Sequence, residues 1–297
     1  MVVVDKEKCT GCGSCIKICH EHCMSLVDRK AMIDYKACST CAQCIAICPQ
    51  KALSWDGVLP VDFEPALMPS LPQLEELLGE RRTIRAFTSE LLDRKTIEEI
   101  VSLGAYAPTH NFHLRCIAID NPGIIEAFDG AAFQFSRRVY ALLFRPRLIR
   151  ALVNLAPRSK RDEFNKALPK LEIAVKRGRG YDSRPAALVC VVGDRRVPLS
   201  LESAQYALHN MSLAAQVKGL GCRSLVGNQM IFNRSREIRQ LLHLKPHERI
   251  FAVAGFGHPA VRFRNKVLGK RMSVEWNGGL PRAEATVKDQ RIAGRGA

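Results

Sequence analysis

The chain has 297 residues, 47% of them hydrophobic and 25% charged, which is long enough for two domains, the larger with a full core of its own. Its formal net charge of +16 is uneven: residues 137–184 hold fourteen Lys/Arg against four Asp/Glu, and residues 261–297 nine against three. No helix-turn-helix, zinc finger or aromatic RNA platform accompanies that charge, so a solvated basic face or a dock for an acidic redox partner is expected in place of nucleic-acid binding. The run Val2–Val4 is too short for a signal peptide and Ala186–Val192 too short for a membrane span, so a cytoplasmic protein with reduced thiols and no membrane association is expected.

Eight of the twelve cysteines form two copies of one spacing. Cys9, Cys12, Cys15 and Cys19 fall at C-x-x-C-x-x-C-x-x-x-C, and Cys38, Cys41, Cys44 and Cys48 repeat it twenty-nine residues later, with Pro49 following. Two 4Fe–4S cubanes use eight thiols so placed, because three closely spaced sulfurs converge on one cluster and the fourth, on a short helix, reaches the other. The expected sets are Cys9, Cys12, Cys15 and Cys48, and Cys38, Cys41, Cys44 and Cys19. A zinc site would leave half of these thiols idle, and disulfides would be reduced in a cytosolic protein. Overlaying the copies puts Cys23 over Ala52, which reads as a small core position, and His20 over Pro49. Residues 1–56 resemble the bacterial two-cluster ferredoxins.

Pro60, Pro65, Pro69 and Pro72 mark an extended connector, giving a front domain over 1–57 and a linker over 58–73. Beyond it Leu74–Leu78 reads as helical, and Asp93 is the expected N-cap of a helix running to Leu103. Strand-like runs at 116–119, 186–192, 223–226 and 250–256 alternate with helices expected at 137–154, 161–177, 200–218 and 234–243, which makes the second domain α+β around a small sheet. The helix from Ser203 is apolar nearly all round and requires burial on most faces. Gly219 and Gly221 are expected to close it. Cys116, Cys190 and Cys222 read as core thiols.

Arg81, Arg82, Thr83 and Arg85 place three guanidinium forks and a hydroxyl within five residues, a donor set that matches phosphate oxygens. They are followed by Pro108, Thr109 and Asn111, by His209 and Asn210 on the buried helix, by Leu220 and Gly221, and by Lys270 and Arg271. In this order the residues resemble the nitroreductase family of flavin enzymes over about 75–276, and with the front domain the chain looks like a ferredoxin-fused branch of it.

The resemblance implies an FMN domain over 74–276 ahead of a basic tail at 277–297. Within it, Arg81, Arg82, Thr83, Arg85, Lys270 and Arg271 would serve the FMN phosphate and ribityl chain. Pro108, Thr109, Asn111, Asn210, Leu220 and Gly221 would line the isoalloxazine, in a homodimer with flavin at the interface. The family's Asn-x-Gln and Gln-Asn are Asn111-x-His113 and His209-Asn210 here, so His113 and His209 are candidate proton donors. No G-x-G-x-x-G follows a strand, which leaves NAD(P)H or reduced ferredoxin as donors acting on the flavin itself. The expected chemistry is one-electron delivery from the clusters and hydride delivery from flavin to a nitroaromatic, quinone or activated double bond. The alternatives are an electron-transfer adaptor to a protein partner and a redox-responsive nucleic-acid regulator.

Overall fold

A computed structural model describes residues 1–108, 113–144, 153, 157–268 and 272–276. It divides into a compact unit Met1–Phe263 and a second unit Arg264–Ala297, whose described residues form neither helix nor strand. No helix among the described residues is long and apolar enough to cross a membrane.

The front of the first unit is built twice, as its sequence repeat requires. Strand β1 (Val2–Val4) pairs antiparallel with β4 (Leu53–Trp55), and β2 (Met24–Val27) with β3 (Lys30–Ile33). Helices α1 (Ser14–Ile18) and α2 (Gln43–Ile47) each follow a cysteine loop. The small core is Val2, Met24, Ala31, Ile45, Ala52 and Leu53, with Cys9, Cys15 and Cys23.

The connector is shorter than its prolines suggest. A 3-10 turn covers Pro65–Leu67, and helix α3 (Leu71–Glu80) already begins with Pro72 in its first turn, where the missing N–H is not needed. Ser70 caps it, accepting from Gln73 N at 3.5 Å, while Gln73 Oε1 accepts from Ser70 N at 2.8 Å. Helix α4 (Arg94–Ser102) has the Asp93 cap, with Thr96 N donating to Oδ1 at 2.7 Å.

The larger sheet is antiparallel in the order β5 (Arg115–Ile119), β6 (Ala187–Asp194), β8 (Glu248–Gly257) and β7 (Gly221–Ser224). Ala187 to Val192 are at most 1% exposed because both faces of β6 are covered. On one face lies helix α7 (Ser200–Val217), through Ala204, Leu208, Met211 and Ala215. On the other, Phe128 of α5 (Pro122–Val139) packs against Phe232 of α8 (Asn228–Arg234), ring centroids 4.6 Å apart. The remaining helices are α6 (Arg158–Arg177) and α9 (Arg236–Leu241).

Three expectations change. Of the helix expected at 137–154, residues 137–139 end α5, which already begins at Pro122, where Asn121 Oδ1 accepts from Gly123 N at 2.9 Å and Ile124 N at 3.3 Å; Tyr140–Phe144 continue as a π-helical turn, and most of 145–154 lies outside the described residues. The expected helix 234–243 is α9 (Arg236–Leu241), which Ser235 caps and separates from α8, a helix the sequence reading did not expect. The closing glycine of α7 is Gly219, at φ +71, whereas Gly221 is already in β7.

Candidate functional site

The repeated cysteines ring two recesses. Gly13, left-handed at φ 77, turns the first loop into α1, and Cys19 caps that helix. Ala42 at φ 62 does the same before α2, which Cys48 caps. Cys9, Cys12, Cys15 and Cys48 line one recess. Cys19, Cys38, Cys41 and Cys44 line another. Each fourth cysteine thus lies with the three of the other loop. Among the described residues no three His, Cys, Asp or Glu side chains converge on a point suited to a single ion.

Their surroundings fit an anionic iron–sulfur group. Ala31 N donates to Cys9 Sγ at 3.4 Å, Thr40 N to Cys38 Sγ at 3.4 Å and Ala52 N to Cys48 Sγ at 3.3 Å, donors that favour charge on sulfur. Burial pushes the Cys44 thiol up to about 11, so filling the recess has to displace its proton. Cys23 is buried, as the overlay on Ala52 suggests, but it also lines the second recess, with Sγ 3.4 Å from Cys19 Sγ. Burial, then its hydrogen bond with Cys19, pushes the Cys23 thiol up to about 12.

In the larger domain the arginine segment lies along β7. Thr83 forms a parallel bridge with Cys222, Ile84 N donates to Cys222 O at 3.1 Å, and Phe87 N donates to Ser183 Oγ at 3.0 Å. Gly221 is required by this contact, since a Cβ there would meet Ile84 Cβ at 2.8 Å. Leu220 is buried in the core beneath. Arg82 turns back on α3, its Nη1 donating to Gly79 O at 2.6 Å and Arg81 O at 2.8 Å, so that nitrogen is committed to backbone. Arg85 is exposed.

Sequence reading missed Arg223, taking it as a strand residue only. Its side chain is 14% exposed and its guanidinium sits 5.0 Å above the Tyr181 ring, with Asp182 4.0 Å away. Nη1 is buried with no hydrogen-bond partner. Burial lowers the Arg223 pKa, and the like charges of Arg85 and Arg177 push the same way, while Asp182 and Tyr181 oppose them. A buried guanidinium nitrogen without a hydrogen-bond partner, beside a second arginine, is a donor that an anion would satisfy. No motif could have revealed it, because Arg223 meets Tyr181 and Arg85 only through the fold.

The remaining expected residues are dispersed. Pro108 is exposed at the end of the 3-10 turn Leu103–Tyr106, and Asn210 Nδ2 on α7 donates to Leu103 O at 3.5 Å. His209 is exposed on α7, next to Asn210. His113, before β5, lines an open cleft with Cys38, Ser39 and Thr40 of the second cysteine loop. The two histidines therefore have different surroundings. Thr109, Asn111, Lys270 and Arg271 lie outside the described residues. Of the three other thiols, Cys190, 0% exposed, and Cys222 are core, and Cys116 is partly buried against it; burial pushes Cys116 up to about 11 and Cys222 up to about 12.

The sequence matches the nitroreductase family over residues 78–258 and a 4Fe-4S dicluster domain over residues 8–55. Among solved structures, an oxidized iodotyrosine deiodinase bound to FMN and 3-iodo-L-tyrosine aligns with a TM-score of 0.50 at 20% identity, covering 69% of this chain and 98% of that one. A nitroreductase with bound FMN from Bacteroides fragilis NCTC 9343 aligns with a TM-score of 0.48 at 16% identity, over 68% of this chain and 99% of that one. Another from Desulfitobacterium hafniense DCB-2 gives 0.48 at 15%, over 67% and 97%. The likeness to the deiodinase shows the fold alone. A comparison with curated proteins returns no match. The match over 78–258 covers more than half of the chain, which therefore belongs to the nitroreductase family and carries a 4Fe–4S dicluster domain at its front.

Proposed function

We propose that the chain is an FMN-dependent oxidoreductase in which two 4Fe–4S clusters exchange single electrons with FMN and a small organic acceptor is reduced at the flavin. The observation that carries this reading is the pair of separate recesses, each ringed by four thiols from both copies of the repeat, in one chain with the Arg85 and Arg223 pair. When bound, the clusters supply one-electron steps and the flavin supplies conversion to two-electron chemistry. Cys9, Cys12, Cys15 and Cys48 would hold one cluster, and Cys19, Cys38, Cys41 and Cys44 the other. Arg81, Thr83 and Arg85, with Lys270 and Arg271, would hold the phosphate and ribityl chain, and Arg223 adds the buried donor that an anion would satisfy. The backbone bonds of Arg82 suit positioning of that segment.

Pro108, Thr109, Asn111, Asn210, Leu220 and Gly221 would line the ring. His113 and His209 are the candidates for holding a proton for the acceptor. The acceptor class is a nitroaromatic, quinone or activated double bond, the donor reduced ferredoxin or NAD(P)H, and the assembly a homodimer. An anaerobic preparation is expected to hold about eight irons and one FMN per chain. Arg81→Ala and Arg85→Ala should each release flavin and keep iron, because the cofactors sit in different domains; flavin fully retained in both would refute the phosphate assignment.

A further inference from the structure

The repeat supplies an internal control for each cluster recess. Position 52 in one copy corresponds to position 23 in the other, and each comes four residues after the crossing cysteine, Cys48 or Cys19. Both residues line their recesses, as do the matched pairs Gln50 and Glu21, Leu53 and Met24, and Ala31 and Val2. Ala52 shows that a methyl group fills this position, at 2% exposure. Packing therefore does not require a thiol at position 23. Yet Cys23 places one there, 7% exposed, 3.4 Å from Cys19 Sγ and in the same recess as Cys38, Cys41 and Cys44. The first recess has four thiols and the second has five.

We infer that Cys23 is a fifth thiol of the second cluster site, an S–H donor to Cys19 while Cys19 binds iron and a reserve ligand when that bond is lost. The inference rests on the two-cluster reading proposed above. Three sulfurs of the second set come from one loop, Cys38–Cys44, whereas Cys19 comes from the other copy and is the single tether from that side. Exchange would break the iron bond to Cys19 and form one to Cys23, the Cys23 proton passing to Cys19. Atoms and charge balance and no electron moves. While Cys19 is bound, the S–H donor withdraws charge from its sulfur and favours the more negative, reduced cluster, so it raises that potential above the value set by the shared scaffold. The first recess has only a methyl group in that place.

The test uses the full-length holoprotein, reconstituted anaerobically, as wild type, Cys23→Ala, Cys19→Ala and the double variant. Alanine at 23 restores what the other copy carries at 52, so the front domain should fold around two clusters. Cys23→Ala is expected to keep all iron while one cluster midpoint, followed by EPR-monitored titration, moves down and the other stays. Cys19→Ala is expected to keep both clusters, and the double variant to lose one cluster and half of the iron. Loss of a cluster from Cys19→Ala alone, or equal iron in the single and double variants, would overturn the reserve-ligand role. Unmoved midpoints in Cys23→Ala would overturn the donor role, and this measurement decides the matter if Cys19→Ala does not fold. A wild-type chain without two clusters would instead refute the earlier reading, which the wild-type iron count reports separately.

Discussion

Replacing Arg223 by Met separates two effects of one buried cation. In the flavin-free protein the guanidinium gains from the Tyr181 ring at 5.0 Å and from Asp182 at 4.0 Å, but leaves Nη1 buried and unpaired. The ring contact contributes about 0.5–2 kcal/mol, and an unsatisfied buried donor costs about 1–3 kcal/mol. Methionine keeps the apolar stem and removes the ring contact, the solvent-screened Asp182 pair and the unpaired donor, so these contributions nearly cancel and flavin-free stability should change by no more than about 1 kcal/mol. If an FMN phosphate accepts from Arg223, the variant loses a charge-assisted bond of about 1.5–3 kcal/mol. That is about a tenfold to a hundredfold weaker FMN affinity. Fluorescence titration of FMN into stripped protein, alongside urea unfolding of the same samples, reads both quantities. An FMN dissociation constant within twofold of wild type would refute the assignment of Arg223 to the phosphate. A stability loss well above 1 kcal/mol would show that the unpaired donor is not costly there.

Arg115 and Lys245 hold the Glu248 carboxyl down to about 2 from 4.5, through Arg115 bonds at 2.9 and 3.0 Å and a Lys245 N bond at 2.9 Å. Full conversion would give about 3 kcal/mol, but Arg115 is 46% exposed and solvent screens the pair, so Glu248→Gln should cost about 1–2 kcal/mol at neutral pH. A depressed folded pKa contributes stability that is fully present above 4.5 and is lost as pH falls through about 2. The gap in melting temperature should therefore be constant near neutrality and narrow only in acid; a gap that widens in acid would refute this. Gly221→Ala drives a Cβ against Ile84 at 2.8 Å, so a loss of about 1–3 kcal/mol should appear in thermal unfolding together with weaker FMN binding, because Ile84 sits between Thr83 and Arg85. His113→Gln and His209→Gln should keep FMN and slow acceptor-driven reoxidation by about a hundredfold or more where the histidine supplies the proton. Wild-type reoxidation in both single variants and the double variant between pH 6 and 8 would leave both histidines structural.

Features encoded by neighbouring residues were legible from the residues alone. The two cysteine spacings bring three sulfurs together within each loop whatever surrounds them, and Asp93 three residues before Thr96 is a complete helix start. The apolar runs at 186–192 and 250–256 could only become buried strands, and they pair in the centre of the sheet. The arginine string raised the expectation of an anion site because its donors are neighbours in sequence. Pro72 was assigned to the connector because it was read without the Ser70 cap, and the start of α5 was missed because its Asn121 cap went unread. Other features depend on partners distant along the chain. Arg223 becomes a buried cation with one nitrogen lacking a hydrogen-bond partner through the approach of Tyr181, Asp182, Arg177 and Arg85. Gly221 serves the packing of Ile84 and not the end of a helix. Cys23 changes from a core filler into a neighbour of Cys19 because the turn after α1 returns its side chain to the recess. A local pattern names the groups available, but their burial and separation, which set charge, hydrogen bonding and reactivity, arise only when distant segments exclude water together.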